Sequence, residues 1–230
     1  MVEMTDDRLR TILSELVITD DWSVAVVEGA TIADLDPEAI EKARKEYTKR
    51  NPFRKAEISA WDDTKFLDKA KITINGKITR TALVLLGKEE SEHLLTPYVA
   101  CIRWSLREVG ATQNKDYEIL SIPLLLSVDK LYNKVRNVKY RLVRPDSMFP
   151  DEMLRYDMFN IREPLNNAIA HQDYTKCARI EVVEYEDDHI IFQNYGTFLP
   201  ESVENVVTKD CPESVYRNRF LVEAMRNLNM

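Results

Sequence analysis

Apolar positions along the chain alternate between a helical period and a strand period, and the switches between the two place the elements. Leu9, Ile12 and Leu16 share one side of a predicted helix over 5–16, with Thr5 as its cap. A second helix is predicted from Asp36-Pro37-Glu38, where Asp caps and Pro suits the first helical position, to about Arg50 before Asn51-Pro52. Only Ile40, Ala43 and Tyr47 of it face inward, while Lys42, Arg44, Lys45, Lys49 and Arg50 read as a solvated outer coat. Asp62 caps a short helix through Phe66 and Leu67. The alternating Ile72, Ile74 and Ile78 then flank Asn75-Gly76, a type I′ hairpin signal. The run Ala82 to Leu86 is apolar throughout, so periodicity alone leaves it a buried strand or a buried helix.

Ile102, Trp104 and Leu106 alternate with Arg103, Ser105 and Arg107, which predicts a strand with one wet face. Leu124, Val128, Leu131 and Val135 have helical spacing within 123–137, and Val138 to Val143 reads as a strand. Pro145 and Pro150 make 144–150 a turn-rich connector. Two strands are predicted over 178–185 and 189–192, joined at Glu186-Asp187-Asp188, with 194–200 as their exit loop. A short helix over 201–207 and a longer one over 216–228 complete the pattern, the latter with Phe220, Leu221, Ala224 and Met225 on its apolar side. Mixed helices and strands of this kind predict an α+β fold, a mixed sheet with helices packed on it.

Composition narrows the picture only where it excludes. With 230 residues, 44% hydrophobic, the chain has ample length for a buried core. Thirty-two basic against 39 acidic residues, net −7, argue against binding nucleic acid by overall charge. Lys134, Arg136, Lys139, Arg141 and Arg144 form the one basic cluster, read as a solvated helix end and strand face. Cys101, Cys177 and Cys211 are odd in number and far apart, which points to a reducing, cytoplasmic setting rather than a disulfide framework or a zinc site. The start, Met-Val-Glu-Met-Thr-Asp-Asp, is acidic where a signal peptide is basic, and no apolar run reaches the ~18 residues of a membrane span, so no membrane is expected.

Chemistry concentrates in 161–200. In a helix over 161–171, Glu163, Asn167 and His171 stack along one face at four-residue spacing, and Leu165, Ala168 and Ile169 form the opposite, apolar stripe. A carboxylate and a carboxamide on one face suit a hydrated divalent cation and an activated water, because Mg2+ keeps most of its waters and needs few protein oxygens. A helix wet on that side also fits a surface with no chemistry. His171 and Asp173 have no nucleophile near them in sequence and no metal-type partner at His93 or His189, so a structural helix-end role is expected there.

The order Glu163-x-x-x-Asn167-Ala, His171-x-Asp173-Tyr174, hairpin, then Asn194-x-Gly196-x-x-Leu199-Pro200 resembles the ATP-binding module of transcriptional regulators described as RecG-like helicase-related. Residues 27–40 and 81–88 also resemble the middle region of those regulators, so the likeness spans nearly the whole chain. It implies a GHKL-like (Bergerat-type) ATPase module at 71–230 with an incomplete lid end. Residues 1–70 are then a helical segment after an AlbA-type (Schlafen-like) DNA-binding domain, and the chain is a fragment of a longer protein.

The resemblance further implies a catalytic base at Glu163, a Mg2+ ligand at Asn167, ATP contacts at Asn167, His171, Asn194 and Gly196, DNA contact through other domains, and room for a homodimer. Four features depart from the family pattern: Pro164 beside the base, Asn194 in place of Asp, Phe198 in place of a second Gly, and no later Gly-rich phosphate loop. The alternative is a catalytically silent GHKL-like interaction or dimerisation module.

Overall fold

A computed structural model describes residues 21–143, 149–197, 199 and 216–230. The expected helices over 5–16 and 201–207, most of the 144–150 connector, Phe198, Arg144 and Cys211 lie outside these residues. The fold is α+β. Helix α1 (Pro37–Arg50) begins where Asp36 accepts from the Ala39 amide at 3.0 Å, and it buries Ala39, Ile40, Ala43 and Tyr47. Its outer charges do more than solvate. Half-buried Lys42 donates to the Leu125 carbonyl and Asp129, and Arg44 donates to the Ile58 and Trp61 carbonyls and Asp63. These long stems lie against neighbouring elements while their heads find acceptors there.

Helices α2 (Lys55–Ser59) and α3 (Asp63–Lys69) follow, the second capped by Asp62. Strands β1 (Thr73–Ile74) and β2 (Lys77–Ile78) then form the expected hairpin. Both turn residues, Asn75 at φ 51° and Gly76 at φ 73°, adopt the left-handed region that a type I′ turn requires. The open question at Ala82–Leu86 resolves as a helix, α4 (Arg80–Leu86). Thr79 caps it, and Thr81 to Leu86 are all buried, which is why its sequence shows no polar face.

Strands β3 (Ile102–Arg107) and β4 (Asn114–Leu120) are antiparallel, and α5 (Leu124–Lys134) returns over the sheet. Strands β5 (Lys139–Leu142) and β6 (Asp151–Leu154) form a separate two-stranded ribbon before α6 (Met158–His171). Strand β7 (Ile180–Tyr185) then enters parallel to β3, and β8 (Ile190–Gln193) pairs antiparallel with β7. The result is a mixed sheet of order β4-β3-β7-β8. One face of it, with Ile102, Trp104, Ile180 and Val182, joins the helices in a core running from Trp22 to Leu228.

Helix α7 (Arg219–Asn227) closes the fold against the first described residues. Asp21 accepts from the Phe220 amide at 2.7 Å and Ser23 Oγ from the Leu221 amide at 3.0 Å, so residues about two hundred positions earlier cap it. Among the described residues, no helix is long and apolar enough to cross a membrane.

Candidate functional site

Helix α6 starts three residues earlier than 161, with Asp157 accepting from the Phe159 amide at 3.1 Å. Pro164 therefore sits in the interior of the helix, where a start near Asn160 would have kept it in the first turn. Its ring nitrogen cannot donate to the Asn160 carbonyl, a loss on the order of 3 kcal/mol in an exposed helix. Burial of Ile161, Leu165, Ala168 and Ile169 offsets that loss and holds the helix continuous. The apolar stripe read from the sequence is thus the buried side.

On the other side Glu163 and Asn167 are both exposed, and Asn167 Nδ2 donates to Glu163 Oε1 at 3.3 Å. The pairing leaves the amide oxygen of Asn167 as an acceptor. His171, one turn on, is half-buried and stacks on Tyr216, with ring centroids 5.1 Å apart and planes at 25°. Burial, reinforced by the nearby Arg217 guanidinium, holds the His171 imidazole below its ordinary value and so neutral near pH 7. His171 does not pair with Asp173: the Asp173 carboxylate accepts from the Thr175 amide and hydroxyl and lies 3.5 Å from Arg217 Nη1. The expected helix-end role fits this arrangement.

The turn after β8 is stitched to the end of α6. Tyr195 N donates to Gln172 Oε1 at 2.8 Å, and Asp173 N to the Tyr195 carbonyl at 2.7 Å. Gly196 has φ 143°, and a Cβ there would stand 3.4 Å from the His171 carbonyl and 3.5 Å from Asp173 Cβ. The positive φ, a backbone region side chains avoid, is what favours glycine there, since the contacts themselves are ordinary van der Waals distances. Asn194 is half-buried and donates to the Tyr195 carbonyl at 3.4 Å. The predicted residues thus form two linked groups, Glu163 with Asn167 on the helix face and His171 with Gly196 at its end.

Residues to which the sequence assigned no role in the site hold this junction together. Fully buried Asn218 donates through Nδ2 to the Ala170 carbonyl at 3.0 Å and the Gln172 carbonyl at 2.8 Å, and Tyr174 Oη donates to the Ile169 carbonyl. These satisfy carbonyls that a helix end leaves without partners. Arg217 adds bonds to the Thr197 hydroxyl and carbonyl. Because the bonds of Arg217 to Thr197 span 20 residues and those of Asn218 span 48 and 46, no local motif could announce them.

A second buried group is Glu184 on β7, which accepts from Trp104 Nε1 and from the Arg136 amide, both at 3.1 Å. Burial pushes its carboxyl above the ordinary range, and the two donors resist that shift. Period-two alternation assigned this inward position only as strand.

The basic cluster is largely consumed by ion pairs. Lys134 lies 3.2 and 3.0 Å from Asp116 and Glu118, Arg136 pairs with Glu186, and Lys139 and Arg141 lie 3.4 and 3.6 Å from Glu152. Among the described residues, no group of three or more His, Cys, Asp or Glu side chains could hold a metal ion.

Comparisons with known proteins bear on the fold. A family model described as a domain of unknown function, DUF8451, matches residues 10–102, which end at the start of β3 and include none of α6. No curated protein matches the chain. Among solved structures, the DIP2311 protein from Corynebacterium diphtheriae is similar at 20% identity and a TM-score of 0.69, over 96% of this chain. The chain spans 42% of the length of that structure.

Proposed function

We propose that this chain is the nucleotide-binding, GHKL-like module of a DNA-binding transcriptional regulator, taking Mg-ATP between the exposed face of α6 and the 194–197 turn. The observation that carries the reading is the exposed Glu163–Asn167 pair, 3.3 Å apart, on the helix whose last carbonyl abuts Gly196. In this reading Glu163 accepts a proton from the water that attacks the γ-phosphate. Asn167 Oδ1 holds Mg2+, which supplies charge neutralisation at the phosphates and suits a site with few protein oxygens. Gly196 lets the backbone approach the base, and the Asn194 amide oxygen accepts from an adenine amino group. DNA contact falls to other domains of the longer regulator.

Calorimetry with Mg-ATP tests the reading. The expected result is saturable binding that weakens about tenfold or more in Asn167→Ala, a loss of about 1.4 kcal/mol. Absence of heat at high protein concentration overturns it. A second reading, a catalytically silent interaction module, is favoured by the exposed apolar residues of the β5–β6 ribbon. It predicts self-association or partner binding that Mg-ATP leaves unchanged.

A further inference from the structure

A cavity of about 450 Å³ lies along the first half of α1, and none of its lining residues belongs to α6 or to the 194–197 turn. Its size falls in the range of roughly 300–1,000 Å³ that small-molecule sites occupy. One wall is the side of α1 that carries Ile40, Glu41 and Arg44, brought together by three- and four-residue spacing. The other wall is the turn at 32–35 with the chain that leaves α4. That turn is closed by the Asp34 carboxylate, which accepts from the Thr31 amide at 2.8 Å and hydroxyl at 3.0 Å. Beside it the Asp36 amide donates to the Leu86 carbonyl at 2.7 Å and the Lys88 amide to the Asp34 carbonyl at 2.9 Å. These backbone bonds fix Lys88 at the cavity without using its side chain.

The lining divides by chemistry. Leu35 and Ile40, 1% and 7% exposed, form an apolar floor. Arg44 is already neutralised, since it donates to the Ile58 and Trp61 carbonyls and to Asp63 at 2.6 Å. Lys88 and Glu41 are not. Among the described residues, neither the Lys88 ammonium nor the Glu41 carboxylate makes a hydrogen bond or an ion pair, although Lys45 stands one turn beyond Glu41. Lys88 is half-buried, and a lysine is seldom withdrawn from water without a counter-charge.

We propose that this cavity binds an apolar α-amino acid as its zwitterion, with the carboxylate on Lys88, the ammonium on Glu41 and the side chain over Leu35 and Ile40. Charge complementarity decides for this class of ligand. A simple carboxylate would be drawn to Lys88 but repelled by Glu41, and a simple amine would meet the reverse. Only a ligand carrying both charges satisfies both groups, and the floor selects an apolar side chain. Two partly exposed ion pairs and one covered side chain set a modest affinity, with a dissociation constant on the order of 1 mM.

The test is titration of the full chain, without nucleotide, with L-leucine, L-methionine and L-phenylalanine, followed in amide proton–nitrogen correlation spectra. Saturable shifts are expected from these ligands in the millimolar range. Isocaproate, which is leucine without its ammonium, and isoamylamine, which is leucine without its carboxylate, should each bind at least threefold more weakly. Glu41→Gln should make leucine no better than isocaproate, and Lys88→Gln should make it no better than isoamylamine. Neither substitution touches the core, and the remaining resonances of each variant verify that it is folded. No saturable shift from any of the three amino acids at tens of millimolar overturns the proposal. So does wild-type protein that binds isocaproate or isoamylamine as tightly as leucine, or leucine affinity unchanged in both variants.

Discussion

Replacing Asn218 by alanine probes the junction on which the candidate site depends. Its side chain is completely buried, and its amide nitrogen serves two carbonyls at once, Ala170 at 3.0 Å and Gln172 at 2.8 Å. Both belong to the end of α6, where no further turn of helix supplies donors. Alanine leaves two acceptors in a site closed to water. A buried polar group left without its partner costs about 1–3 kcal/mol, which puts the pair at roughly 2–6 kcal/mol. For a chain of this length, at about 2–4 °C per kcal/mol, the melting temperature falls by roughly 4–24 °C.

Urea unfolding followed by tryptophan fluorescence measures the loss, with the slope expected to stay unchanged. Asn218→Asp keeps the shape but turns an oxygen toward the two carbonyls, and its loss should equal or exceed that of alanine. A cost below about 1 kcal/mol for Asn218→Ala would show that the two carbonyls find other donors, and the account of the helix end would fail.

Four further outcomes follow from the same geometry. Gly196→Ala, forced into a backbone region that side chains avoid, should cost about 1–3 kcal/mol in urea unfolding and weaken nucleotide binding; a neutral result would refute the strained turn. Pro164→Ala restores a donor to the Asn160 carbonyl and should stabilise the chain by about 1–3 kcal/mol in thermal melts, with destabilisation the contrary result.

Glu184 has a folded value raised by burial, so its favourable contribution is complete below the unfolded value near 4.5 and is lost as pH rises through the raised value. The stability of wild type relative to Glu184→Gln should therefore decline as pH rises above about 4.5, and a difference that grows instead contradicts the burial argument. In a Cys211→Ser background, exposed Cys177 should react promptly with a thiol reagent. Cys101, buried and pushed up to about 11, should react only on unfolding.

Elements whose cause is local were legible in the chain. Asp36-Pro37, Asp62 and Asn75-Gly76 each act on backbone within three residues, and each does what its chemistry dictates. The alternation at Ile102–Arg107 placed β3, but the wet face expected there is covered: Arg103 and Arg107 are half-buried and Ser105 is fully buried. Where burial is complete the pattern falls silent, as at Thr81–Leu86, whose helix was indistinguishable from a strand. The continuation of α6 through Pro164 was hidden for a related reason, since the packing that lets the helix run through it comes from other elements. In the candidate site, Glu163 and Asn167 were visible as one face of a single helix. Asn218, Arg217 and the Gln172 bond to the 195 amide were not, because their partners lie 48, 20 and 23 residues away along the chain.

The capping of α7 by Asp21 and Ser23 has a mechanical meaning. A load applied between residues 21 and 220 meets first a carboxylate and a hydroxyl on two amides, backed by the core packing that Trp22 and Leu221 share. This latch thus lies in parallel with the sheet, α6 and the candidate site rather than in series with them. When that latch opens, α7 loses the donors' partners at its first turn, and Arg217 and Asn218 lead directly into that helix. Force on the flanks would therefore reach the turn at Gly196 as a release, all at once, and not as a gradual stretch.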